Sequence, residues 1–344
     1  MPSRKASPVT IFDVAKRAGI SVATVSRVLN HTAVVTPKTV ARVQAAIDEL
    51  KYVPHTAARN LATRKTNTLG LLLADIHGDF FAPLLSGIEN ATSEAGFDLL
   101  ISTSGRPGPR KEFPRSLGEH NTDGLLIFAD SLGETGLAHC HESGFPTVLI
   151  HQTPPDSMDI PCVTVENKAA SRKIVEHLIV EHGRRRIAFL KGPAGHEDSY
   201  WREMGYREAL EAHGIGFDPK LVALGEFDRN VAAASVKNLL ATNLEIDAIF
   251  SGDDEAAVGV LAALQETGKR VPEDIAVVGF DDQRLSAYLT PPLTTVRAPT
   301  ERVGYEAASQ LVKLIRTGQA DRLTLLPTEM IIRRSCGCQV AHAS

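Results

Sequence analysis

Residues 10–30 read TIFDVAKRAGISVATVSRVLN, two short helical patterns parted by a glycine. Thr10 is placed to cap the first, with Asp13 three residues on as the acidic half of a capping pair. Val14, Ala15 and Ala18 supply a small apolar face, and Gly19 ends the helix because glycine tolerates the left-handed turn that follows. Ser21 caps the second pattern, whose Val25, Val28 and Leu29 recur at helical spacing and pack back on the first. A helix, a glycine-bearing turn and a second helix make the unit whose second member lies in the DNA major groove.

The same stretch could be an ordinary helical hairpin inside a larger core. Charge argues against that. Residues 1–66 hold eleven Lys and Arg against three acids, a net of +8, whereas the rest of the chain holds 26 basic and 38 acidic residues, a net of −12. The overall charge of −4 therefore hides a basic head on an acidic body. That is the electrostatic footprint of a small nucleic-acid-binding domain.

A chain of 344 residues is too long for one core and suits a small domain followed by one or two larger ones. An apolar fraction of 43% is that of a globular protein. No apolar run approaches the ~20 residues of a membrane span. The start, MPSRKASPVT, has no apolar signal region, so a cytoplasmic location is expected. Four cysteines do not suggest a disulfide framework, in keeping with a reducing compartment.

After the two-helix unit, Thr36-Pro37 opens a third helix, with Thr as the cap and Pro in the first turn where no amide donor is needed. Val40, Val43, Ile47 and Leu50 form its expected inward stripe, and it ends at Lys51-Tyr52-Val53-Pro54. The following HTAARNLATRKTN, residues 55–67, has Leu61 as its only large apolar residue. Alone it is at best a marginal helix or a solvated linker.

From Thr68 the pattern changes to short apolar runs alternating with helical stretches: TLGLLLA (68–74), FDLLIS (97–102), GLLIF (124–128), TVLI (147–150), CVTV (162–165), RIAFL (186–190), DAIFS (247–251) and IAVVGF (275–280). Helices are expected near 82–95, 169–181, 201–212, 231–241, 254–267 and 300–316. Continuous apolar strands separated by helices imply α/β architecture with parallel sheets covered on both faces. The number of strands suits two doubly wound lobes better than one.

Residues 10–30, Lys51-Tyr52-Val53-Pro54 and Ala58-Arg59-Asn60-Leu61 resemble the lac/gal repressor (LacI/GalR) family of bacterial transcription regulators. The resemblance extends along the body through Asp79-Phe80-Phe81, Asp123-Gly124-Leu125-Leu126, His182-Gly183-Arg184-Arg185-Arg186-Ile187, Arg202-x-x-Gly205-Tyr206, Val278-Gly279-Phe280-Asp281-Asp282 and Pro292-Leu293-Thr294-Thr295-Val296. It implies a three-helix helix-turn-helix head (1–54), a hinge helix or linker (55–67) and a two-lobed core of periplasmic-binding-protein type (67–344). By the family pattern the N-terminal lobe takes about 67–166 and 298–325, and the C-terminal lobe about 167–297 and 326–344.

The resemblance also assigns roles. Val22, Ala23 and Arg27 occupy base-reading positions, Arg27 able to grip guanine and the two apolar residues able to meet a thymine methyl. Thr10, Ser21, Thr24, Ser26 and Asn30 are suited to phosphate, fixing register without reading sequence. In the hinge, Leu61 is the minor-groove wedge, with Arg59 and Arg64 near the groove or phosphates. In the interlobe cleft, Phe80 and Phe81 line one side, and His196, Asp198, Arg202, Phe227, Asp253 and Asp281 the other. Carboxylates that accept from hydroxyls, a forked arginine and aromatic covers suit a sugar, and acids near phosphate weakly disfavour a phosphorylated effector.

Plainer roles stand beside these. Asp281 could cap a turn after a buried strand; of Asp253-Asp254, Asp253 is expected to face the ligand and Asp254 to cap the next helix. One of Phe80 and Phe81 is expected in the core, and Trp201 could stack on ligand or pack between lobes. Two stretches depart from the family. SGRPGPRKEFPRSLGEHNTD (104–123) carries three prolines where a clear helix is usual, and His151-Gln152 and Glu166-Asn167 replace a common Asp or aromatic.

No metal site or cofactor is expected. Cys336-Gly337-Cys338, with His342, is one short pair in a tail, and His139-Cys140-His141 is isolated, whereas zinc usually takes four ligands. GxxxxGK[ST], GxSxG and GxGxxG are all missing, so no catalytic residue is proposed. The expected protein is a homodimeric repressor that binds a near-palindromic double-stranded operator, does not engage a membrane, and responds to a small molecule between its lobes. A solute-binding protein, or a sugar-processing enzyme on the same scaffold, are the alternatives; the basic head counts against the first.

Overall fold

The computed structural model describes residues 9–30, 34–52, 65–76, 78–103, 116–242 and 244–339. The chain divides after Thr66 into a helical head and an α/β body.

In the head, α1 (Ile11–Ala18), α2 (Val22–Asn30) and α3 (Pro37–Leu50) enclose Val14, Ala15, Ala18, Val25, Val43, Ala46 and Tyr52. The Asp13 carboxylate accepts from both the N–H and the hydroxyl of Thr10, at 2.8 and 2.7 Å. Gly19 is left-handed at φ +63°, and the N–H of Ile20 reaches back to the Ala15 carbonyl. The Arg42 guanidinium of α3 donates to the Ala18 and Gly19 carbonyls, so the third helix fastens the end of the first. Ser21 Oγ accepts from the Thr24 N–H at 3.2 Å, which is the expected cap of α2. Of the expected inward stripe of α3, Val43, Ile47 and Leu50 pack in the head core, whereas Val40 is 40% exposed and Ala46 is buried instead.

The body contains two parallel sheets. The six-stranded sheet has the order β11-β5-β4-β3-β1-β2, where β1 is Thr68–Leu73, β2 Asp98–Thr103, β3 Gly124–Phe128, β4 Thr147–Ile150, β5 Cys162–Val165 and β11 Leu323–Leu326. The four-stranded sheet has the order β7-β6-β8-β9, built from β6 (Ile187–Lys191), β7 (Val222–Leu224), β8 (Ala248–Ser251) and β9 (Ala276–Val278). Strands β3, β4, β5 and β8 are buried at every residue, as parallel strands covered on both faces must be. FDLLIS differs: β2 is an edge strand, with Leu100 and Ile101 exposed.

The covering helices are α4 (Phe81–Glu94), α5 (Glu134–Ser143), α6 (Lys168–Val180), α7 (Glu197–Ala212), α8 (Arg229–Ala241), α9 (Asp254–Glu266) and α10 (Thr300–Thr317). Where α4 crosses α10, a Cβ on Gly87 would lie 1.9 Å from the Glu301 carbonyl. Where α7 crosses α6, a Cβ on Gly205 would lie 2.2 Å from the Lys168 carbonyl. Glycine lets these backbones touch. Between the lobes, β10 (Thr295–Arg297) pairs antiparallel with β12 (Glu329–Ile331), and the chain crosses from β5 to α6 at Glu166-Asn167. After β2, residues 116–123 form turns around the buried Leu117, with no helix among them. No helix among the described residues is long and apolar enough to cross a membrane.

Candidate functional site

On the head, Ala23 and Arg27 are exposed one turn apart on α2, while Val22 is half-buried against the head core. Ser21 and Thr24 share a hydroxyl–hydroxyl bond of 2.9 Å, and both donors of Thr10 are spent on Asp13, which holds that carboxyl below its ordinary pKa. A phosphate at Thr10 therefore has to compete with Asp13. Ser26 is half-buried on the same helix. The Asn30 side chain, Arg59, Leu61 and Arg64 lie outside the described residues.

The body holds a cleft of about 710 Å³ lined by all eight residues named from the sequence for it, Phe80, Phe81, His196, Asp198, Arg202, Phe227, Asp253 and Asp281. Apart from Arg202, in the second turn of α7, they sit just beyond strand carboxyl ends or at helix starts, where an open parallel sheet leaves a crevice. Residues missed from sequence join them: Asp75, Asp79, Phe128, Asp130, Glu226 and Glu255. A signal was present, since Ala74-Asp75 and Ala129-Asp130 each end an apolar strand in the same way.

One wall is aromatic. Phe80 and Phe81 meet edge to face at 5.4 Å, and Phe128 lies 5.9 and 5.4 Å from them. Both Phe80 and Phe81 are half-buried and both reach the cleft, so neither is purely core. On the opposite wall Phe227 is held at φ +55°, after Glu226 at +54°, a pair of left-handed non-glycine residues. Its ring lies over Gly192, where a Cβ would come within 2.2 Å of it, and meets His196 edge to face at 5.1 Å. Trp201 is outside the cleft, 39% exposed, with its indole N–H on Glu197.

The floor is a buried polar network centred on Arg202. The i, i+4 spacing of Asp198 and Arg202 on α7 turns both inward. Arg202 Nε donates to Asn167 Oδ1 at 2.9 Å, Nη1 to the Gly252 carbonyl at 2.6 Å, and Nη2 to Asp281 at 3.3 Å. The guanidinium stacks on Phe280 at 3.8 Å. With three of its five N–H groups committed, Arg202 is a keystone first and a ligand donor second. Asn167, at the lobe crossing, also donates to Asp198 at 2.8 Å and to the Val165 carbonyl. From the other lobe His151 Nδ1 lies 2.8 Å from Asp198, close but off the line of a hydrogen bond, and His196 faces Asp130 at 4.0 Å. These two substitutions against the family pattern, His151 and Asn167, thus belong to the site.

The acids divide by environment. Burial alone would raise Asp198; the His151 ring, then Arg202 and His196, outweigh it and hold the carboxyl far below its ordinary pKa. Burial, and then the charge of Asp281, push Asp253 well above the usual carboxylate range. Burial raises Asp281 too, opposed mainly by Arg202, and burial lowers His196 despite Asp198 and Asp130. The cleft therefore sets Asp198, whose charged form is favoured, beside Asp253, whose charged form is disfavoured.

Asp253 and Asp254 do not divide their work as expected. Asp253 is itself the N-cap of α9, accepting from the Ala256 N–H at 3.0 Å, while its side chain still lines the cleft. Asp254 is buried and accepts from the Gln283 N–H and the Ser286 and Thr295 hydroxyls; burial raises its pKa to about 7. It ties α9 to the lobe crossing instead of capping. Asp281 adopts φ +104° and Asp282 +52°; the first pairs with Arg202, the second with Arg297 and Arg333, each at 2.7 Å.

Comparison with known proteins agrees with this geometry. Residues 10–55 match the model of bacterial regulatory proteins, lacI family, and residues 175–336 that of the periplasmic binding protein-like domain. The HTH-type transcriptional regulator CelR of Thermobifida fusca is 35% identical over 95% of this chain and 98% of the relative. The HTH-type transcriptional repressor PurR of Aliivibrio salmonicida is 33% identical, with the same coverage. Among solved structures, the lac repressor dimer bound to operator and the anti-inducer ONPF superposes with a TM-score of 0.81 at 26% identity, over 96% of this chain and 99% of that one. The CelR–cellobiose complex gives 0.69 at 31% identity, over 95% and 99%. The chain belongs to the lacI family of bacterial regulatory proteins and is a helix-turn-helix transcription regulator.

Proposed function

We propose that this regulator is a homodimeric repressor whose hold on a near-palindromic operator is set by a neutral, polyhydroxylated ligand, a sugar, bound in the cleft. The observation that carries the ligand class is the pairing of aromatic walls with a floor of buried carboxyls around a single committed arginine. Aromatic faces cover the apolar side of a pyranose, and Asp198, Asp253 and Asp281 supply acceptors for its hydroxyls. A phosphate would meet those acids with no free arginine pair to neutralise it. The similar structure of a CelR–cellobiose complex supports the same class.

On the DNA side, Ala23 and Arg27 with Val22 read base edges, while Thr10, Ser21, Thr24, Ser26 and Asn30 hold phosphates. Two hinge segments of a dimer, with Arg59 and Leu61, complete the clamp in the minor groove. The lac repressor dimer on its operator supports that assembly. The ligand shifts the clamp only as far as it binds the two lobe arrangements unequally.

A thermal-shift screen of the full chain tests this, with neutral mono- and disaccharides, sugar phosphates and nucleobases, followed by operator-binding titrations with each hit. Neutral sugars raise the melting temperature and change operator affinity; sugar phosphates do neither. Nucleobase hits alone, or sugar hits that leave operator affinity unchanged, overturn the proposal.

A further inference from the structure

In the chain only His342 stands near Cys336-Gly337-Cys338, and His342 lies outside the described residues. The fold supplies two other histidines. His177 comes from the last turn of α6 and His182 from the loop after it. One donor atom from each of His177, His182, Cys336 and Cys338 falls within 4.8 Å of the other three.

The distances have the scale of a tetrahedral site. A zinc-class ion with M–S of about 2.3 Å and M–N of about 2.0–2.1 Å holds sulfur and nitrogen about 3.6 Å apart along a tetrahedron edge. Cys338 Sγ lies 3.6 Å from His177 Nε2 and 3.4 Å from His182 Nε2. The two rings meet edge to face with centroids 5.0 Å apart, turning separate nitrogens toward one point. Gly337 takes φ +114°, and a Cβ there would press on His182 Nδ1 at 3.0 Å, so the glycine lets both flanking sulfurs turn to the same side. The surroundings also suit a thiolate. Thr294 Oγ1 accepts the Arg333 N–H at 2.8 Å, which leaves its own hydrogen for Cys336 Sγ at 3.1 Å.

We propose that His177, His182, Cys336 and Cys338 form a structural His2Cys2 site for a zinc-class divalent cation. With four protein donors it has no open position for substrate, which fits a staple and not a catalyst. The staple joins the turn at residues 334–337 to α6, whose other end is capped by Asn167 in the cleft floor. The same segment is tied to β9 by the Ser335 hydroxyl on the Val277 carbonyl and to Asp282 by Arg333.

The test uses reduced, full-length protein stripped with chelator and titrated with Zn²⁺ and Co²⁺. Elemental analysis after dialysis against zinc is expected to give about one metal per chain, and cobalt to give the intense visible bands and thiolate charge transfer of a tetrahedral two-sulfur site. Cys338→Ser and His182→Gln, both at half-exposed positions, reduce retained zinc to about a tenth or less of that, as loss of one ligand from a four-ligand site should. Three results overturn the proposal: no metal retained by the wild type, a pale octahedral cobalt spectrum, or full stoichiometry in the Cys338→Ser, His182→Gln double variant. The wild-type cobalt spectrum decides the donor set even if a variant folds poorly.

Discussion

Arg202→Met is the sharpest test of how the cleft floor is built. Methionine keeps much of the volume and the stacking surface over Phe280 but removes the charge shared by Asn167, the Gly252 carbonyl, Asp281 and Asp198. Arg202 is 3% exposed, so its partners lose their counter-charge without gaining water. Removing one member of a buried ion pair typically costs about 3–5 kcal/mol. At about 2–4 °C per kcal/mol for domains of 150–250 residues, the melting temperature should fall by roughly 6–20 °C at pH 8. The pH dependence fixes the cause. Arg202 pulls down the pKa of Asp198, Asp253 and Asp281, so without it the folded-state values of Asp253 and Asp281 rise further above their unfolded ones. A raised acid binds its proton more tightly when folded, so its penalty is present above the folded pKa and relieved as pH falls toward the unfolded value. The deficit of Arg202→Met should therefore shrink between pH 8 and pH 5.5. Differential scanning fluorimetry at both values reads it. A variant that melts within about 2 °C of the parent at pH 8, or whose deficit grows on acidification, refutes the network as an electrostatic unit.

Three further outcomes follow from the geometry. Arg27→Ala should lose about 1–3 kcal/mol on operator, roughly 5–150-fold, with a much smaller loss on random duplex; equal losses by fluorescence anisotropy would show that Arg27 touches only phosphate. Gly192→Ala places a Cβ 2.2 Å from the Phe227 ring and should weaken sugar binding about tenfold or more in calorimetry while operator binding without ligand is kept. Gly87→Ala, with a Cβ 1.9 Å from the Glu301 carbonyl, should force α4 off α10 and cost about 1–3 kcal/mol in chemical denaturation.

The head and most of the longer strands were legible because their signals are local. Thr10, Gly19, Ser21 and Thr36-Pro37 each mark a helix end by their own chemistry, and TLGLLLA reads as a strand because it is a continuous apolar run too short for a helix, although FDLLIS carries the same signal on an exposed edge. The strands β7, β10, β11 and β12 escaped because they are three or four residues long and, unlike β9, are not buried throughout, so no bounded apolar run marks them. The cleft acids were readable by family position, yet which of Asp253 and Asp254 caps α9 depends on Ser286 and Thr295, brought up from more than thirty residues away. The pairings made by His151, Asn167, His177 and His182 have no local mark. Their partners are 47, 31, 161 and 156 residues distant in the chain, and only the packed lobes place them.

Asp281 and Asp282 are neighbours in an uncommon backbone state, one gripping the guanidinium of the cleft floor, the other gripping two arginines of the segments that run between lobes. A non-glycine residue kept there stores on the order of 1–3 kcal/mol. That makes the pair a pawl: a sugar hydroxyl that drew Asp281 away from Arg202 would let the peptide between the two acids rotate and would drag Arg297 and Arg333 in the same stroke. Recognition and lobe movement would then share a single bond of the main chain, with no relay of intervening side chains needed.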